Sequence, residues 1–174
     1  MLDPESVWIE ERMDRLASGG TQPISPEMTR LLAVPTVSVS AALIVRDEEQ
    51  CLKEILMALR HAVDEIVVVD TGSVDNTACI AKQSGAKVYS FDWCDDFSEA
   101  RNFALSKVTS NWVLCVDADE RLHPDDVASV HRAAGLLSLL DQPVIGRVVI
   151  MDQIGHFTLP NYVAVLSNEI SVPV

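Results

Sequence analysis

The sequence predicts an open, mostly parallel α/β sheet flanked by helices. Three features carry that prediction. Apolar runs of strand length alternate with segments of helical periodicity. The runs are continuous rather than alternating, as in strands buried on both faces. Several of them end on carboxylates, at the edge where such sheets hold their ligands. The 174 residues suffice for one domain burying roughly 70% of its unfolded surface, and 48% apolar with 22% charged residues is a globular rather than a disordered composition.

A helix-compatible segment from Pro4 to Ala17 comes first, with Val7, Trp8, Met13 and Leu16 on one face. Ser18-Gly19-Gly20 ends it, and Pro23 and Pro26 mark a linker. Residues 1–35 thus read as a helical appendage and linker, and residues 36–174 as the domain. Val37 to Val45 is the first strand. Asp47 is placed to cap the next helix, whose Leu52, Ile55, Leu56 and Leu59 recur at helical spacing. Glu65 to Val69, ending on Asp70, is the second strand. Thr71-Gly72-Ser73 then turns into a helix from about Asp75 to Ser84, which Gly85 stops.

Lys87 to Phe91 is the third strand. Asp96 and Glu99 have capping-box spacing, and the helix they open would turn Phe97, Ala100, Ala104 and Leu105 inward. Trp112 to Val116 is the fourth strand. Pro124 suits the first turn of a helix reaching about Leu140. Val144 to Met151 is a fifth strand, and Val163-Ala164-Val165-Leu166 would be a strand seeking a neighbour. Strand, helix, strand in this repeating order predicts a parallel sheet with right-handed crossovers.

The formal net charge of −13 argues against nucleic acid or anionic membrane surfaces as partners. It also implies that an anionic ligand would need a cation between itself and the protein. Cys51, Cys79, Cys94 and Cys115 lack metal-site spacing and read as small buried residues or inert thiols, fitting a reducing, cytoplasmic compartment. Met1 to Trp8 has no signal-peptide pattern, and no apolar run approaches the roughly 20 residues of a membrane span. Peripheral membrane association and homo-oligomers stay open. His61, His123, His131 and His156 read as surface or cap residues, and Trp93 and Trp112 as core or pocket-wall residues.

The expected rim of the sheet collects Asp47-Glu48, Asp70, Asp92 and Asp117-Ala118-Asp119. In the last of these, two carboxylates separated by a small residue can address one ligand. Mg²⁺ or Mn²⁺ would reconcile them with a diphosphate, because hard cations combine one or two protein carboxylates with phosphate oxygens. The bland alternative is a solvated turn. Asp70 can accept the imide N–H of a uracil ring or, alternatively, serve only the Asp-Thr-Gly-Ser turn. Arg101 suits a base or a phosphate, or balances a neighbouring carboxylate.

Five stretches in this order resemble family 2 glycosyltransferases, inverting enzymes of the GT-A type: Ala42 to Glu49, Val63 to Thr77, Gly85 to Tyr89, Phe97 to Leu105, and Trp112 to Glu120. The resemblance covers about half the chain. It implies a Rossmann-like GT-A sheet, a nucleotide-sugar donor (most often a UDP-sugar) and transfer to a glycan, lipid-linked or protein acceptor. Carried over by position, Arg46 and Glu48 border the nucleoside, Asp70 holds the base and Arg101 supports it. Asp117 approaches the ribose or sugar, and Asp119, with Asp117, ligates the metal. Asp47-Glu48-Glu49 stands where the family commonly has Asn-Glu-Glu. Only about fifty residues follow Glu120, where the family continues into its acceptor half and catalytic base. Asp152 and Glu169 are the carboxylates of that tail, and neither is matched to the base. A tail residue, a partner or a missing segment would have to supply it.

Three rival readings compete with that one. Asp70-Thr71-Gly72-Ser73 is also an aspartic-protease signature, but the helical pattern that follows argues against a mostly β protein. A dinucleotide-dependent dehydrogenase would need a G-x-G-x-x-G after the first strand, and none is present. The third is a non-catalytic nucleotide-sugar-binding or interaction module on the same fold.

Overall fold

The computed structural model describes residues 33–122, 124–140, 145–154 and 157–167. The expected helix from Pro4 to Ala17 and its linker up to residue 32, His123, Val144, His156 and Glu169 lie outside the described residues. Strand β1 (Val39–Val45) leads to helix α1 (Leu52–Ala62), then β2 (Glu65–Asp70), α2 (Thr77–Gln83), β3 (Lys87–Ser90), α3 (Phe97–Leu105) and β4 (Trp112–Cys115). A 3₁₀ turn (Pro124–Asp126) precedes α4 (Ser129–Leu137), and β5 (Ile145–Ile154) and β6 (Phe157–Ser167) complete the order.

The six strands form one sheet in the order β3-β2-β1-β4-β6-β5. Strands β1 to β4 are parallel, with Val45 opposite Asp70 and Ala42 opposite both Val67 and Cys115. The expected α/β architecture, a mostly parallel sheet flanked by helices, is therefore present. The tail differs from the expectation. Strand β6 runs antiparallel between β4 and β5, pairing Leu114 with Leu166 and Gly146 with Leu166 from opposite sides. Val163 to Leu166 thus has both neighbours, and β5 is an antiparallel hairpin partner rather than the next parallel strand. Alternating apolar runs could not distinguish the two, because pairing depends on which strand folds back.

Both faces of the parallel sheet are covered, which is why its strands are continuous apolar runs. On one face Val39, Ala41, Leu43 and Val45 pack with Leu52, Ile55, Leu56 and Leu59 of α1, with Ala81 of α2 and Ala134 of α4. On the other, Ala42, Val67, Val69 and Val113 pack with Ala104 and Leu105 of α3. Trp112 is 2% exposed, and its indole N–H donates to Ser138 Oγ at 2.7 Å, satisfying the one polar atom it buries. Among the described residues no helix is long and apolar enough to cross a membrane.

Local expectations were met unevenly. Gly85 ends α2 with φ 85, as its left-handed role requires. Asp96 caps α3 by accepting the N–H groups of Ser98 and Glu99, but Phe97 is 72% exposed rather than inward. As the first residue of the helix it lies beyond the edge of the apolar stripe. Asp47 does not cap α1, which starts at Leu52 behind Cys51 with no side-chain cap. The predicted helix through Leu140 is shorter, beginning after the 3₁₀ turn at Ser129. Of the four cysteines, all free, Cys115 is buried, Cys51 is partly so, and Cys79 and Cys94 are exposed. Cys115 fits the expected buried residue, and for exposed Cys79 and Cys94 only the inert-thiol alternative remains.

Candidate functional site

The chain builds β1, β2 and β3 outward in one direction and then crosses back to place β4 on the other side of β1. The switch point of this sheet therefore lies between β1 and β4, and the loops leaving their carboxyl ends part there into a crevice. Helix α1 leaves on one face and α3 returns on the other. The resulting cavity, about 440 Å³, is lined by Ile44, Val45, Arg46 and Glu48 after β1 and by Thr71 after β2. Trp93 and Phe97 line it on the α3 side, and Asp117, Ala118 and Asp119 after β4.

Of the residues expected from sequence, Arg46, Glu48, Asp117 and Asp119 thus meet in one place. Arg101 is tied to them, its Nη2 standing 3.8 Å from Asp117 Oδ1. Both side chains are more than a third exposed, so the pair orients more than it stabilises. Asp70 is buried behind the cavity wall. Its Oδ1 accepts the Ser73 N–H at 2.9 Å and the Ser73 hydroxyl at 2.6 Å, so one oxygen serves the turn. Asp92 is exposed and does not line the cavity.

The turn after β4 is held from behind by a residue to which the sequence reading gave no role. Glu120 Oε2 accepts the Asp117 N–H at 3.0 Å, while its Oε1 is buried with no hydrogen-bond partner. Burial pushes this carboxyl up to about 7. The Asp117 N–H opposes that shift, and the charges of Asp117 and Asp119 add to it. Arg121 donates to the backbone oxygens of Asp119 and Glu120 and pairs with Glu54 of α1 at 3.2 Å. Thr71, also missed, closes the floor by donating its N–H and hydroxyl to Val45 O. The third acidic residue in Asp117-Ala118-Asp119-Glu120 was the available signal for Glu120. Nothing in the pattern singled out Thr71.

The loops after β1 and β2 are laced to each other. Asp47, with φ 55, accepts the Val74 N–H at 2.7 Å and gives its own N–H to Ser73 Oγ. Glu48 N–H donates to Thr77 Oγ1, Glu49 N–H to Asp75 Oδ2, and Asn76 N–H to Glu49 Oε2. At the start of α1, Cys51 and Leu52 N–H are taken by Glu48 O, and the Cys51 thiol donates to Glu48 Oε2 at 2.9 Å. That hydrogen bond, with burial, raises the Cys51 thiol further from its reactive form. These backbone donors, which in phosphate-binding loops point at the ligand, are spent within the protein.

An anion entering this crevice meets the carboxylates of Glu48, Asp117 and Asp119, with Arg46 the one cationic side chain of the lining. Among the described residues no three His, Cys, Asp or Glu side chains are grouped to cage an ion. The donor set fits a hard cation that takes one or two protein carboxylates, Asp117 and Asp119, and completes its shell with phosphate oxygens and water.

Comparison with known proteins follows the same residues. Residues 40–135, from within β1 into α4, match the family described as Glycosyl transferase family 2. A TPR repeat-containing protein of Synechococcus elongatus is 44% identical over 112 residues, covering 64% of this chain and 26% of that protein. An uncharacterised glycosyltransferase of Rickettsia felis is 37% identical over 84 residues, 48% of this chain and 29% of its own length. The chain therefore spans between a quarter and a third of these two relatives. Among solved structures, glucosyl-3-phosphoglycerate synthase from Mycobacterium tuberculosis, crystallised with Mn²⁺, UDP and glucosyl-3-phosphoglycerate, is 27% identical. That match covers 55% of this chain and 39% of the other, with a TM-score of 0.48. The family match covers more than half of the chain and includes every residue that lines the switch-point crevice, so the chain belongs to glycosyl transferase family 2.

Proposed function

We propose that this chain forms the donor site of an inverting, metal-dependent glycosyltransferase, binding a UDP-sugar with Mg²⁺ or Mn²⁺. One observation carries the reading. Glu48, Asp117 and Asp119 outnumber Arg46 in the lining of the switch-point crevice, and the nearby Asp47, Glu48, Glu49 and Val74 N–H groups are already paired. A diphosphate is repelled by such a site unless a cation accompanies it.

In this reading Asp119 and Asp117 hold the cation, which when bound stabilises the departing nucleoside diphosphate. Arg101 keeps Asp117 turned toward the α3 side and sets a positive charge beside the ligand. Arg46 and Glu48 border the nucleoside at the end of β1, with Glu48 steadied by Cys51. Asp70, buried with one oxygen committed to Ser73, is the residue this reading assigns to the base through its other oxygen. Asp117 also approaches the ribose or sugar. The acceptor is a glycan, a lipid-linked glycan or a protein.

Thermal unfolding tests this directly, because a ligand that binds only the folded state raises its midpoint. UDP and Mn²⁺ together should raise the midpoint, and neither alone should do so to the same extent. A shift from UDP alone, unchanged by adding Mn²⁺, would contradict the metal-dependent reading.

A further inference from the structure

Asp117 and Asp119 occupy the first and third positions of a four-residue turn that is closed twice. The backbone N–H of Glu120 donates to Asp117 O at 3.2 Å, and Glu120 Oε2 accepts the Asp117 N–H at 3.0 Å. The two ends of the turn thus exchange a pair of hydrogen bonds. Ala118, between the aspartates, is buried in the core cluster that includes β1 and α1, so the middle of the turn is pinned as well. Asp117, Ala118 and Asp119 line the crevice, and Glu120 does not.

Glu120 buries its other oxygen, Oε1, without a hydrogen-bond partner among the described residues. A buried carboxyl oxygen left unpaired is costly, and the hydrogen bond this group does make is to the backbone of Asp117. Arg121 grips the far side of the same turn. Its Nη1 donates to Asp119 O at 3.1 Å and to Glu120 O at 2.9 Å, and its Nε stands 3.2 Å from Glu54 Oε2 in the first turn of α1. The turn is therefore fastened to a helix that packs on the sheet through Leu52, Ile55, Leu56 and Leu59. Both bonds from Nη1 go to backbone oxygens and not to the Asp119 carboxylate.

We propose that Glu120 and Arg121 are positioning residues that set how tightly the Asp117–Asp119 pair holds its cation, acting through the backbone of the pair without touching the ion. The proposal rests on the donor-site reading above and deepens it. Groups that orient metal ligands from behind typically change metal affinity about tenfold or more when removed. Position and charge have opposite consequences at these two residues. By charge alone, Glu120→Gln removes a negative group and weakens cation binding, while Arg121→Met removes a positive one and tightens it. By position, Glu120→Gln keeps an acceptor for the Asp117 N–H and holds affinity near wild type. Arg121→Met releases Asp119 O and Glu120 O and weakens binding although a repelling charge has gone.

The test titrates the full chain with Mn²⁺ alone and reads free Mn²⁺ by electron paramagnetic resonance. Urea unfolding of each variant runs alongside, and Asp119→Ala serves as the reference without a site. Glu120→Ala should weaken Mn²⁺ binding about tenfold, and Glu120→Gln should bind about as tightly as wild type. Arg121→Met should weaken it several-fold with an unfolding midpoint close to wild type. Its side chain is partly exposed, so it keeps the test valid if Glu120→Ala folds poorly. Unchanged affinity in Glu120→Ala and Arg121→Met, with Asp119→Ala deficient, would overturn the positioning role and leave the donor-site reading standing. Equal weakening in both Glu120 variants together with tightening in Arg121→Met, the pattern of charge alone, would overturn it too. Equal Mn²⁺ binding by wild type and Asp119→Ala would remove the cation site and this proposal with it.

Discussion

Glu120 holds the backbone of Asp117 from behind: its Oε2 accepts the Asp117 N–H at 3.0 Å, and its buried Oε1 has no partner. The carboxylate pair facing the crevice is thus shaped by a third carboxyl group that does not line it. Glu120→Ala should leave the Asp117 N–H without its acceptor and destabilise the chain by about 1–2 kcal/mol. Glu120→Gln, which retains an acceptor oxygen, should lose much less. Urea unfolding of the two variants checks this, with a loss confined to the alanine variant as the expected outcome.

A different kind of anchor joins the loops after β1 and β2. Asp47 has φ 55 and accepts the Val74 N–H. Asp47→Ala would keep the strained backbone and lose the hydrogen bond, costing about 1–2 kcal/mol. Asp47→Gly relieves the strain and should cost less than alanine. The order alanine below glycine below wild type in denaturation midpoint is the prediction, and reversal of the first two would contradict the strain argument.

Acid sensitivity should come from the opposite end of the sheet. Burial raises the Glu65 carboxyl, but hydrogen bonds from Lys87, Ser40 and Thr109 outweigh it and hold the group at about 2. They come from Lys87 Nζ at 2.5 Å, Ser40 Oγ at 2.5 Å and Thr109 N at 2.8 Å. A folded value below the ordinary glutamate value of 4.5 means that the unfolded chain binds more protons between the two. The stabilisation is therefore present above about pH 4.5 and is lost as pH falls toward 2. Glu65→Gln should lower stability near neutral pH and flatten the acid limb between those values, as measured by denaturation at fixed pH steps.

Arg101 separates binding from stability. Its contact with Asp117 is long and partly exposed, so Arg101→Met should change folding stability by under about 1 kcal/mol. Nucleotide affinity should nevertheless fall several-fold, because the positive charge beside the diphosphate is lost. The deficit should shrink at high salt. Loss of fold with no selective loss of binding would make Arg101 a structural residue.

The parallel half of the sheet was legible because its strands are buried on both faces and its helices carry one apolar stripe, as Leu52, Ile55, Leu56 and Leu59 show. The convergence of Arg46, Glu48, Asp117 and Asp119 followed from strand ends sharing a rim. What the pattern could not reveal depended on partners distant in sequence. Asp47 has the chemistry of a helix cap, but Val74, 27 residues on, claims its carboxylate. Asp70 is claimed by Ser73, and Val163 to Leu166 found a partner in β4 that periodicity does not name. Phe97 matched the inward stripe by residue type, yet as the first residue of α3 it is left exposed.

The central claim is that Asp119 carries a cation to which the diphosphate binds. The direct measurement is a calorimetric titration of UDP into the wild type and Asp119→Ala, each with and without Mn²⁺. The account predicts that Mn²⁺ tightens UDP binding to the wild type at least tenfold and does nothing for the folded variant. Equal metal enhancement in both proteins, or tight binding of UDP to the wild type without metal, would contradict it.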